Sequence, residues 1–188
     1  MRAEVQITLS DFVTAALQAG EQENWLAALA LALTLPDICA AVDDPGPHKS
    51  RARYAKWWDQ YVAPQYLATP GPKDDWVVHS YLPGQDAFYL RCSYLHAGTD
   101  VMDGKNQLMN RVRFLGPSNV RRFGLDEETR TLTIPINMFV ESVCSGVGAW
   151  VADHANDSQA QERLAGLISV LPSAITLVRP DGSRQKWT

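Results

Sequence analysis

Apolar positions recur at helical spacing through the first hundred residues, then alternate over short runs. A first helix is predicted over about 10–20, with Ser10 as its N-cap, Asp11 in its first turn and Gly20 as its stop. A second, over 22–42, carries Trp25, Leu26, Leu29, Leu33 and further apolar residues around most of its circumference. Such a helix belongs at the centre of a core, with Pro36 kinking it and "DDPGPH" ending it. The third, over 50–66, places Tyr54, Trp57, Trp58, Tyr61 and Val62 at helical spacing before Pro64, and "ATPGPKDD" follows as a loop. The fourth, "GQDAFYLRCSYLHAG" over 84–97, is stopped by Gly98. The four are expected to pack together around Trp25, Leu29, Trp57, Tyr61, Phe88 and Leu95.

Beyond the polar stretch "TDVMDGKNQ" the texture changes. "NRVRFLG" and "RTLTIP" read as short strands, with "PSNVRRFGLDEE" as the loop between them. Pro135 suits the first turn of another helix, lined on one face by Ile136, Phe139, Val140, Val143, Val147, Trp150 and Val151. A last helix follows, with Ser158 and Gln161 in a capping-box pattern, and then a terminal hairpin around Pro-Asp-Gly. The predicted fold class is mainly α: a helical bundle over 1–105 with an α+β extension over 106–188 that contains short strands and a hairpin. No flexible linker separates the two, so they also fit one single domain.

Composition narrows the function. Of 188 residues, 46% are hydrophobic and 20% charged, as in globular proteins and unlike disordered ones. A net charge of −4 means that any nucleic-acid contact needs a local basic patch. The basic concentration is Arg111, Arg113, Arg121, Arg122 and Arg130, of which the first four are the candidate RNA contacts. Acidic "LDEE" follows them, so a solvated strand-and-loop face is the competing reading. Cys39, Cys92 and Cys144 lack metal-binding spacing and read as reduced thiols of a cytoplasmic protein. No metal or cofactor is expected.

"WLAALALALTLPDICAAV" is interrupted by Thr34, Pro36 and Asp37, which favours a buried helix over a membrane span; no signal peptide is expected at the N-terminus. The aromatics of "YAKWWDQY" suit core packing better than base stacking. Asp153, His154 and Asp157 read as a polar connection rather than a metal site, and Cys144 with Ser145 as packing.

Arg91 and His96 stand five apart in the apolar fourth helix. Charged residues seldom occupy such a face without a partner or a task. A His can take a proton from a 2′-hydroxyl near neutral pH, and an Arg fork can hold a phosphate and its developing charge. Five residues of ideal α-helix rotate through about 500°, leaving the two side chains about 140° apart. On a straight helix they would not converge.

The spacing R-x4-H, in a helix preceded by "LALTLPDICAAV" and "RYAKWWDQY", resembles the signature of HEPN-like proteins over roughly residues 10–98. The same segments are similar to those of bacterial proteins without an assigned function. The resemblance implies a helical bundle, often a metal-independent endoribonuclease of toxin or defence type, with Arg91 and His96 catalytic and 2′,3′-cyclic phosphate ends as products. It also implies RNA as substrate, a homodimer that shares the site, and a cognate antitoxin or other partner protein. Either that dimer or a local distortion before Gly98 is therefore expected. The family commonly has Asn after the Arg, whereas this chain has Cys92. The alternative is an inert HEPN-like binding or oligomerisation protein, in which Arg91 pairs with Asp37 or Asp86 and His96 caps its helix.

Overall fold

The computed structural model describes residues 5–46, 50–67, 80–102, 108–119, 122–170, 175–178 and 184–187. Among them the chain is mainly helical, with a small mixed sheet. After strand β1 (Val5–Gln6), helix α1 runs over Leu9–Glu21. Its N-cap is Thr8 and not Ser10: Thr8 Oγ1 accepts from the Asp11 amide, and the Asp11 carboxylate accepts from the Thr8 amide. The reciprocal pair satisfies two end donors, which Ser10 could not do from inside the helix.

Helix α2 (Trp25–Asp43) has a mean hydropathy of 1.9, long and apolar enough to cross a bilayer by composition, yet nine of its residues are buried. Its neighbours are α1, α3 (Ser50–Tyr61) and α5 (Ile136–Asp153). Pro36 stands inside α2 and has no amide to donate. Nearby, the Tyr54 hydroxyl donates to the Leu33 carbonyl at 3.3 Å. Tyr54, Trp57 and Trp58 of α3 are buried, and Tyr54 stacks on Trp58 and meets Phe88 edge-on. Their spacing thus serves packing. A short 3-10 turn, Ala63–Tyr66, continues α3.

Helix α4 (Gly84–Cys92) lies against α3. Its N-cap, Pro83, offers no side-chain acceptor, and Asp59 of α3 accepts from the Gly84 amide at 2.6 Å instead. The chain continues into a π turn, Ser93–Ala97, ended by Gly98 at φ +62°. Leu95 is half-buried and stands outside the core, since the turn that carries it departs from α-helical geometry. Leu29 and Trp57 are buried, while Trp25, Tyr61 and Phe88 are partly buried against the same core.

Strands β2 (Arg111–Leu115), β3 (Gly124–Asp126) and β4 (Thr131–Pro135) form a sheet ordered β2-β4-β3, with β2 parallel and β3 antiparallel to β4. The segment read as loop therefore contains a strand. The Asp126 carboxylate accepts from the Thr129 amide and closes the β3–β4 turn, in which Arg130 takes φ +52°. Helix α5 begins directly after Pro135 and packs on α1, α2 and α3, so one hydrophobic core runs across the residue-105 division. Helix α6 (Ser158–Ala165) is capped by Asp157, whose carboxylate accepts from the Gln159 and Ala160 amides; Ser158 lies inside the helix. A carboxylate also complements the helix dipole, which a serine does not. Strand β5 (Ser169–Val170) pairs with β1, and β6 (Ile175–Val178) with β7 (Arg184–Trp187). The Pro-Asp-Gly turn between the last two lies outside the described residues.

A Cβ on Gly84 would stand 2.1 Å from the Ala55 carbonyl oxygen, a backbone atom that cannot swing aside. Gly84→Ala should cost about 3 kcal/mol and lower Tm by roughly 6–12 °C. Gly148→Ala meets nothing within 4 Å and should raise stability by about 0.5–1 kcal/mol. Urea titration of both variants checks the pair.

Candidate active site at the end of helix α4

The π turn decides the geometry of the Arg91–His96 pair. The Gly98 amide donates to the Ser93 carbonyl, five residues back, as well as to Tyr94. A π turn winds less per residue than an α-helix, so the step from Arg91, the last residue but one of α4, to His96 rotates through less than the roughly 500° of an ideal helix and brings the two side chains nearer one face. Arg91 Nη1 stands 3.0 Å from His96 Nε2. The distortion expected before Gly98 is present, and the two side chains meet within one chain.

Arg91 is held from a second side. Its Nε donates to Asp37 Oδ2 at 2.7 Å, across from α2. Nη1 also points at the Cys92 sulfur at 3.9 Å, and no hydrogen bond is made by Nη2 among the described residues. The side chains of Arg91 and Asp37 are 23% and 18% exposed, so the pair is shielded without being sealed. Burial pushes the Asp37 carboxyl above its ordinary value, and Arg91, Arg53 and His96 offset only part of that. Burial opposes the charge on Arg91, but Asp37 and Cys92 outweigh it and hold the guanidinium above its ordinary range. Tyr54, fully buried beside them, has its hydroxyl pushed up by burial first and Asp37 second. His96 itself is exposed.

A guanidinium offers five donors and no acceptor. For the Arg91–His96 contact to be a hydrogen bond, Nε2 is the acceptor, which assigns the imidazole proton to Nδ1. The arrangement presents a fixed cation beside an unprotonated imidazole nitrogen at an open surface. Asp86, the other carboxylate considered for Arg91, instead accepts from the Leu108 and Met109 amides and pins the chain leading into β2.

The candidate RNA contacts fare unevenly. Arg111 and Arg113 project from the same side of β2; Arg111 pairs with Asp100 at 3.4 Å, and Arg113 is exposed. Arg122 is exposed. Arg121 lies outside the described residues. Asp100 follows His96 by four residues, and Val101 bridges to Arg111, so β2 begins close to the π turn. Arg130 donates to the Leu108 carbonyl at 2.6 Å and helps hold the same segment.

Asp153, His154 and Asp157 do not converge. Asp153 accepts from Tyr61, Asp157 caps α6, and His154 Nε2 lies 3.1 Å from Asp43 while its ring stacks on Trp150. Among the described residues, no group of three His, Cys, Asp or Glu side chains is placed to hold a metal ion. Cys144 is buried in α5 with its thiol pushed up to about 11 by burial and then by Glu141. An apolar cavity of about 540 Å³ between α1, α5 and α6 and a polar one of about 530 Å³ beside Asp43 and His154 both lie away from the Arg91–His96 pair. Comparison with protein-family models, curated proteins and solved structures found no match.

Sequence spacing singled out Arg91 and His96, and Asp37 entered as one of two candidate counter-ions. The helical spacing of Tyr54 signals packing alone and not its electrostatic coupling to Asp37 and Arg91.

Removing the guanidinium strands a shielded carboxylate. Arg91→Ala should cost about 1–3 kcal/mol at neutral pH, below the range for fully buried pairs because both side chains are partly solvated. A carboxyl raised above its ordinary 3.8 contributes stability that is complete below 3.8 and lost as pH rises through the raised value. Without Arg91 the Asp37 carboxyl rises further. The deficit of the variant should thus shrink as pH falls from 7 towards 4, as paired urea titrations at the two ends would show.

Proposed function

We propose that the protein is a metal-independent endoribonuclease of toxin or defence type, working as a homodimer with Arg91 and His96 as its catalytic pair. One observation carries this reading: the π turn brings Arg91 Nη1 and His96 Nε2 to 3.0 Å at an open surface. A phosphodiester seated on the guanidinium would place its 2′-hydroxyl beside the imidazole. The 2′-hydroxyl proton passes to Nε2, the P–O2′ bond forms and the P–O5′ bond breaks. The departing 5′-oxygen takes a proton from water, and the imidazolium returns its own to solvent. The guanidinium carries the extra negative charge of the pentacoordinate phosphorus. Exposed Arg113 and Arg122 would extend the contact to flanking phosphates.

A second copy is not needed to unite the pair. The homodimer rests on the resemblance to HEPN-like proteins. The competing reading is an inert binding or oligomerisation protein, favoured by the ion pair that already occupies Arg91.

Cleavage of an RNA panel should persist in EDTA and leave 2′,3′-cyclic phosphate and 5′-hydroxyl ends. His96→Ala should lower the rate by about 10²–10⁴-fold. Arg91→Lys should fail as well, since an ammonium keeps the charge and loses the planar fork. Inactivity of the wild type across the panel, with circular dichroism showing a folded chain, would leave the inert reading standing.

A mixing experiment addresses the assembly. Arg91→Lys and His96→Ala chains, unfolded together and refolded, should recover no activity if each chain uses its own pair. Recovery towards a quarter of the wild-type rate would mean that the pair is shared between copies.

A further inference from the structure

Three atoms of the Arg91 guanidinium have three different situations. Nε is tied to Asp37 Oδ2 at 2.7 Å, Nη1 to His96 Nε2 at 3.0 Å, and Nη2 makes no hydrogen bond among the described residues. The Asp37 tie comes from the middle of α2, beside buried Pro36, and reaches across 54 residues of sequence. The His96 tie comes from an exposed residue on a single turn. One side of the guanidinium is therefore fixed on a partly buried carboxylate of α2, and the opposite edge faces a solvent-accessible partner.

That partner is blocked by the contact it makes. The lone pair of Nε2 that would accept the 2′-hydroxyl proton is the one that accepts from Nη1. A resting site of this kind cannot act as a base until Nη1 turns elsewhere. A phosphate oxygen is the acceptor best able to draw it away, because a charged acceptor outcompetes a neutral imidazole nitrogen for a guanidinium N–H.

We propose that Asp37 is the positioning residue of this site. It anchors the Nε side of Arg91 so that the Nη1–Nη2 edge can receive one phosphodiester, and capture of Nη1 by that phosphate is the event that frees His96 Nε2. This rests on the ribonuclease reading for its substrate, while the anchoring and the His96 tautomer stand apart from it. Binding and activation of the base become one step, and the imidazole is held idle when no phosphate is bound. Asp37 touches neither substrate nor reacting atoms and acts through Arg91 alone.

The test uses the full chain with ¹⁵N-labelled histidine. At pH 7.5 the neutral His96 ring of the wild type should carry its proton on Nδ1. A 2′-O-methyl oligoribonucleotide, which lacks the 2′-hydroxyl and cannot be cleaved, should shift the Nε2 resonance as the Nη1 contact is lost. Inorganic phosphate at the same ionic strength as a chloride control should produce a smaller shift in the same direction. Asp37→Asn should loosen Arg91, admit the Nε2–H tautomer and lower kcat by about 10–100-fold with a smaller change in KM. Asp37→Glu, which keeps the charge, should retain the Nδ1–H tautomer and recover part of kcat; it also serves if the Asn variant does not fold.

An Nε2–H ring in the free wild type would overturn the proposal outright. So would an Asp37→Asn chain that is less stable but keeps both the wild-type tautomer and kcat, because Asp37 would then be structural only. If no RNA is cleaved yet Asp37→Asn releases the tautomer, the anchoring holds and the ribonuclease reading fails. Cleavage that is indifferent to Asp37 overturns the anchoring and spares the enzyme.

Discussion

Helix α2 packs against α1, α3 and α5, and its polar side chains, partly buried at Thr34 and Asp37 and exposed at Asp43, all meet partners on the surrounding chain. Thr34 turns back and donates to the Ala30 carbonyl of its own helix. Asp37 takes Arg91 from α4. Asp43, at the C-terminal end, accepts from the Trp150 indole and meets His154, both belonging to α5 and its cap. Each carboxylate thereby ties a different neighbouring helix at one point along α2. Apolar contacts tolerate sliding by a fraction of a turn, whereas a shielded ion pair or an indole–carboxylate bond does not. The rotation of α4, and with it the direction in which Arg91 presents its free edge, follows from that constraint.

Arg91 consequently has two duties that pull in different directions. As counter-ion to Asp37 it belongs to the packing of the bundle; as neighbour of His96 it faces solvent. A guanidinium can do both because its donors lie on separate edges of one plane, which an ammonium cannot reproduce. The α3–α4 contact supports the arrangement from the far end. Gly84 lets the two backbones meet at Ala55, Asp59 caps α4 there, and the helix is aimed before it reaches Arg91.

Much of this was legible in residue order. The four N-terminal helices, the burial of α2 and the packing of the α3 aromatics follow from apolar periodicity, which reports burial directly. The capping residues of α1 and α6 are not legible in this way, because several polar residues stand in a row at each start and only backbone geometry decides which one lies outside the first turn. Strand β3 was hidden for a different reason: Gly124–Asp126 is too short for alternation to register, and its pairing with β4 depends on the turn at Arg130. For the site, spacing identified Arg91 and His96 and left their convergence to a distortion that no local propensity encodes. The counter-ion was narrowed to Asp37 or Asp86, and the choice between them is tertiary, since Asp86 is claimed by the amides of Leu108 and Met109.

The place of α5 bears on how the chain is made. Helix α2 ends at Asp43, and α5, which covers one of its sides, is complete only at Asp153. A ribosome adding roughly 5–20 residues per second needs on the order of 5–20 s to cross that interval. For that time the nascent chain carries an 18-residue apolar segment with one of its final partners still missing. Until then the segment is open to machinery that recognises hydrophobic stretches near the exit tunnel. Arrival of Phe139, Val143 and Trp150, all buried in the finished core, is what withdraws it from that competition.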